Sequence, residues 1–260
     1  MNTPTQSGLL TPSVCIDAVL ENRDFASALA TVHEAGIRAF EFWSWWDKDL
    51  DALEVARDSL ELQIAACCTR FISLVDADRR ADYLQGLKES IQIAQRLNCK
   101  TLISQVGDEL SGVPRAAQHE SLVAGLKAAA PLLEDAGITL VIEPLNVLVD
   151  HAGYYLVRSH EAFEIVDEVG SSHVKVVFDI YHQQISEGQL IANISDNIEE
   201  IGHFHAAGNP GRHELSVGEI HYPQIFQAIL ETGYQGYVGL EYWPQHDVLQ
   251  GLQEVALWLD

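Results

Sequence analysis

The sequence predicts an α/β protein: a single (β/α)8 TIM barrel, with residues 1–260 forming one domain. Three observations predict it. Strand-like and helix-like runs alternate eight times along 260 residues, the order that gives parallel strands joined by crossover helices. The strand-like runs are continuous apolar stretches, as expected when both faces of a strand are covered. No glycine-rich phosphate loop follows the first strand, which argues against the rival open doubly wound sheet. With 47% hydrophobic residues the chain can fill one large core.

The runs follow in order. SVCI precedes an amphipathic helix from Asp24 to Ala35, closed by Gly36; AFEFW precedes LDALEVARDSLE; LQIAACC leads to a helix over Asp78–Leu97. KTLISQ precedes a helix from Pro114 to Asp135, closed by Gly137, and ITLVIE precedes a loop and then HEAFEIVDEVG. VKVVFD precedes a helix over Leu190–Glu200, IGHFH precedes YPQIFQAILETG, and YVGLEYW precedes the closing HDVLQGLQEVALWL. The glycines at helix ends supply the left-handed cap that turns the chain back toward the barrel.

The last four strand runs end on Glu143, Asp179, His205 and Glu241. Neighbouring strands lie about 4.8 Å apart, and the C-terminal ends of barrel strands carry the chemistry, so these four side chains converge. Singly, each has a plainer reading: Glu143 as a loop cap, His205 as a core histidine, Glu241 as a loop anchor. Asp179 closes an apolar run, where a lone acid is costly unless paired or metal-bound. Together, three carboxylates and one imidazole predict a divalent metal site, with Mn2+ or Mg2+ expected and Co2+ as a substitute.

Around them stand further candidates. His203 points the same way as His205, two residues on, and is expected deeper, as a structural residue. His182, three residues beyond Asp179, is placed to hydrogen-bond a substrate oxygen. The segment NPGRHE offers Arg212 and Glu214. Arg212 either binds a substrate carboxylate or hydroxyl, or pairs with Glu214 at the surface. Trp43, Trp45 and Trp46 either wall a pocket or form an interface.

The net charge is −23, from 38 acidic and 15 basic residues. Such a surface repels nucleic acid and anionic membranes, and favours a neutral or singly charged small molecule. No stretch approaches the roughly 18 apolar residues of a membrane span, and MNTPTQSGLLTPS lacks the features of a secretory signal. The cysteines Cys15, Cys67, Cys68 and Cys99 have no metal-type spacing, so free buried thiols in a reducing cytoplasm are expected. A homo-oligomer is compatible with all of this.

IEPLN, FDIYHQQISEG, IGHFHAAGNPGRHE, GEIHYPQIF and GLEYWP resemble the hydroxypyruvate isomerase family, one of the xylose isomerase-like TIM barrels that also include the ketose 3-epimerases. The resemblance is dense from Leu140 to Pro244; earlier it covers only the layout of elements. It implies that Glu143, Asp179, His205 and Glu241 bind the metal and that Glu143 and Glu241 act as the acid–base pair. By the same resemblance His182 and Arg212 contact substrate, and Glu214, beside Arg212, is placed with them. The implied reaction converts hydroxypyruvate to tartronate semialdehyde, or acts on a related short oxo-sugar acid, through an enediolate.

A ketose 3-epimerase of the tagatose, psicose or ribulose type is the alternative, and a sugar-acid or cyclitol dehydratase is less expected. One residue departs from the pattern: His205 stands where hydroxypyruvate isomerases often carry glutamine and ketose 3-epimerases carry histidine. A nuclease on this fold would need more metal-binding histidines and a basic groove. A sugar-binding barrel without chemistry would not need both Glu143 and Glu241.

Overall fold

Eight parallel strands close on themselves in the computed structural model, which describes residues 10–259. They are β1 (Thr11–Cys15), β2 (Ala39–Phe42), β3 (Gln63–Cys68), β4 (Thr101–Ser104), β5 (Thr139–Ile142), β6 (Val174–Asp179), β7 (Ile201–Ala206) and β8 (Tyr237–Leu240). Each pairs with the next, and β8 returns to β1. Of the leading segment on which the no-signal expectation rests, residues 1–9 lie outside the described residues.

The helices are α1 (Ile16–Val19), α2 (Phe25–Glu34), α3 (Leu50–Ser59), α4 (Arg80–Arg96), α5 (Arg115–Ala136), α6 (Ser159–Val169), α7 (Ile180–Ser186), α8 (Leu190–Asp196), α9 (Tyr222–Glu231) and α10 (Val248–Leu259). Their boundaries follow local chemistry. The Asp24 carboxylate accepts the Ser27 N–H at 2.9 Å and starts α2, and Asp49 does the same for α3 through Ala52. Helix α5 stops at Gly137, whose φ of 63° is left-handed.

Two expectations change. The helix predicted over Leu190–Glu200 is divided into α8 and a 3-10 turn at Ile198–Glu200. The cause lies at Asn197, whose side-chain amide donates to the Asn193 carbonyl and whose backbone leaves the helical region. Helices α1 and α7 are additional, and α7 begins where the Asp179 carboxylate accepts the His182 N–H at 2.9 Å.

Most buried apolar side chains form one cluster that includes residues of both strands and helices. A second, smaller cluster holds Ala66, Cys68, Ile103, Val141 and Val177, packed by Trp43. Register joins these residues side by side, Cys68 to Ile103, Ile103 to Val141, and Val177 to His203. They fill the barrel interior on the β3–β6 side. Ser13, Glu41, His203 and His205 are buried on the opposite side, so the interior is apolar on one half and polar on the other.

Candidate active site

Glu143 follows β5, Asp179 ends β6, His205 lies near the end of β7 and Glu241 follows β8, all of them buried. One oxygen or ring nitrogen from each lies within 4.8 Å of those of the other three. Nδ1 of His205 is 3.0 Å from Glu143 Oε1, 3.5 Å from Glu241 Oε2 and 3.9 Å from Asp179 Oδ2. Glu241 is held at both oxygens: Trp43 Nε1–H donates to Oε1 at 2.6 Å, and Arg212 donates to Oε2.

A second layer lies behind His205, where the sequence predicts His203 as a structural residue but not its acid partner, Glu41. Glu41 on β2 is 2% exposed and accepts from Ser13 Oγ at 2.7 Å and His203 Nε2 at 2.9 Å. Its Oε1 is 2.9 Å from His205 Nε2, close but off the N–H axis, so that Nε2 has no aligned partner. Glu41 sat unmarked within AFEFW; the signal was available, because an acid in an apolar strand must be paired. His203 contacts Glu41 and is not on the cavity wall.

His182 lies in the first turn of α7. Its Nδ1 faces the Asn146 amide nitrogen at 2.7 Å and the Asn146 backbone N–H at 3.3 Å. The Asn146 Oδ1 accepts from Val149 and Asp150 N–H, which fixes the amide with its NH2 toward His182. Two donors at Nδ1 assign the ring proton to Nε2, a buried atom without a partner. Burial, then the Arg212 charge, lowers the His182 pKa to about 3, so the ring is neutral.

Arg212 is buried, in left-handed backbone at φ 57°, with its guanidinium over Trp243 and Tyr181. It pairs with Glu241 and approaches Asp179 at 3.7 Å, rather than meeting Glu214 at the surface. The Glu214 carboxylate instead accepts the N–H groups of Gln245 and His246 and ties down the loop after β8. Trp43 lines the cavity; Trp45 is buried against Ser90, and Trp46 packs on Phe71. The cavity measures about 580 Å3, and Glu143, Glu241, His182, Arg212, Tyr154 and Trp243 form much of its wall.

Charge in the site is unbalanced. Burial pushes the Asp179 carboxyl up despite Arg212. Burial also acts upward on Glu143, but the His205 hydrogen bond and charge outweigh it and its pKa falls. Burial opposes a charge on His205, yet Glu241 and Glu41 raise its pKa well above the ordinary range. Glu41, Glu143, Asp179 and Glu241 thus face His203, His205 and Arg212, an excess of acid that a divalent cation would offset. The oxygen-rich donor set suits such a hard ion, and Glu143, Asp179, His205 and Glu241 could hold it.

Comparison with known proteins agrees with this architecture. The family model described as xylose isomerase-like TIM barrel matches residues 29–260. Hydroxypyruvate isomerase of Escherichia coli strain K12 is 32% identical over 91% of this chain and 93% of its own. A 2-oxo-tetronate isomerase of Cupriavidus necator is 34% identical over 67% of this chain and 66% of its own. Among solved structures, one titled AP endonuclease, family 2, from Brucella melitensis has a TM-score of 0.91 at 27% identity, covering 97% of this chain and all of that one. An L-ribulose 3-epimerase shares the fold, with a TM-score of 0.80 at 19% identity over 97% of this chain and 95% of that one. The chain belongs to the hydroxypyruvate isomerase family of xylose isomerase-like TIM barrels and is an isomerase.

Proposed function

We propose that this isomerase interconverts hydroxypyruvate and tartronate semialdehyde, or a closely related short hydroxy-oxo acid, through an enediolate. Glu143 and Glu241 are the acid–base pair, and Glu143, Asp179, His205 and Glu241 hold a divalent metal, Mn2+ or Mg2+. The observation that carries this reading is the meeting of these four donors within 4.8 Å, with both glutamates on the wall of one cavity. When bound, the ion would supply Lewis-acid stabilisation of negative charge developing on two adjacent substrate oxygens.

The chain's own groups do the rest. Glu241 has both oxygens engaged by Trp43 and Arg212, while the Glu143 carboxylate faces His205. Glu143, whose carboxylate is not clamped at both oxygens, takes the proton from the hydroxymethyl carbon. The electron pair of the broken C–H bond forms the enediolate C=C and then takes the proton back at the former carbonyl carbon. The hydroxyl proton passes to the former carbonyl oxygen, and the O–H pair it leaves closes the new carbonyl. His182 Nε2–H donates to a substrate oxygen, and Arg212, whose Nε has no partner, binds the carboxylate.

In D2O, NMR of hydroxypyruvate with enzyme and Mn2+ should show deuterium entering the substrate, and Glu143→Gln and Glu241→Gln should each abolish it. Full exchange in either folded variant overturns the two-glutamate scheme. A ketose 3-epimerase is the second reading, favoured by His205 and by a cavity of about 580 Å3, roomy for a three-carbon acid. There Glu241 would protonate the opposite face of the same carbon. Tetruloses, pentuloses and hexuloses in the same assay report it as inversion at C3.

A further inference from the structure

We infer that Glu41 is a positioning residue: it holds the His205 ring so that Nδ1 serves the metal and Nε2 keeps its proton. This role rests on the metal site proposed above and assigns the ring nitrogen that site uses.

The two edges of the His205 ring face different acids. On the Nδ1 side are the oxygens of Glu143, Glu241 and Asp179, at 3.0, 3.5 and 3.9 Å. On the Nε2 side is Glu41 Oε1, at 2.9 Å and off the N–H axis. An ion gathered by the three carboxylates therefore meets Nδ1, and a ring that ligates through Nδ1 carries its proton on Nε2. That proton is buried and needs an acceptor. Glu41 is the acceptor in reach.

Glu41 is itself built into place. Ser13 Oγ and His203 Nε2 both bind its Oε2, leaving Oε1 for His205. Gly239 on β8, which pairs with His205 in the sheet, makes the room. A Cβ there would collide with Glu41 Oε1 and come within 2.7 Å of His205 Cδ2. Glu41 is not part of the cavity wall, so it acts on substrate only through His205. Carboxylates that hold metal-bound histidines in this way fix the ring and raise its basicity, and losing one costs about 10–100-fold in metal affinity.

Two measurements test the role. Titration with Mn2+, following free ion by EPR, should give one ion per chain, and Glu41→Gln should weaken binding about 10–100-fold. Equal affinity in folded Glu41→Gln overturns the role. So do two ions per wild-type chain with one lost in the variant, because Glu41 would then be a ligand beside His203. No Mn2+ binding by the wild type would overturn the metal reading itself, and this role with it. The second measurement needs no substitution: 15N-histidine NMR of the wild type with Mg2+ should place the His205 proton on Nε2. A proton on Nδ1 overturns the proposal whether or not Glu41→Gln folds.

Discussion

Asn146 shows how one buried amide decides what its neighbour can do. Its orientation is set by two loop N–H groups, and through it His182 Nδ1 is an acceptor and the ring proton stays on Nε2. Asn146→Asp keeps the oxygen that caps the loop but replaces the donor with an acceptor, which draws the ring proton to Nδ1. The expected outcome is a fall in kcat/KM of about 100-fold, the scale for losing one donor to a reacting oxygen, with a lower melting temperature as well, because the buried amide also donates to Asp150 at 2.7 Å. Unchanged kinetics would mean that His182 gives no proton to substrate. The sequence pointed to His182 and to the four converging ends by strand position alone. An acid inside the apolar run AFEFW signals that Glu41 must be paired, but not with what, because its partners Ser13 and His203 lie 28 and 162 residues away.

Strands and long helices were legible because continuous apolar runs and helix-ending glycines are repeated signals. Short elements were not. Helix α7 has seven residues, about two turns, too short for an apolar repeat to stand out in the sequence; it begins where Asp179 caps it, and the same cap carries His182 to the cavity. Gly137 is a sharper test of local chemistry. Its left-handed φ of 63° is strained for alanine, so Gly137→Ala should cost about 1 kcal/mol and lower the melting temperature by about 2–4 °C. A variant that melts at or above the wild type would show that the α5–β5 turn relaxes freely.

For the molecule as a whole, the formal charge of −23 acts on stability rather than on topology. Salt shortens the Debye length from about 30 Å at 0.01 M to about 8 Å at 0.15 M, which screens repulsion among the surface acids. The melting temperature should therefore rise over that range; a gain near 1 kcal/mol corresponds to about 2–4 °C. A fall would mean that surface ion pairs such as Arg115–Glu161 outweigh the self-repulsion. Among the described residues no helix is long and apolar enough to cross a membrane.

The division of the barrel interior has a use for redesign. Ala66, Cys68, Ile103, Val141 and Val177 form a packing unit on β3–β6, and Ser13, Glu41 and His203 form a polar one across the lumen. A library restricted to the first group can search for thermostability while every acid and imidazole of the second keeps its contacts. The two groups are joined through Trp43, which packs on the apolar one and donates to Glu241, so that residue must stay fixed; at Gly239 any enlarged side chain would press directly on Glu41 and His205.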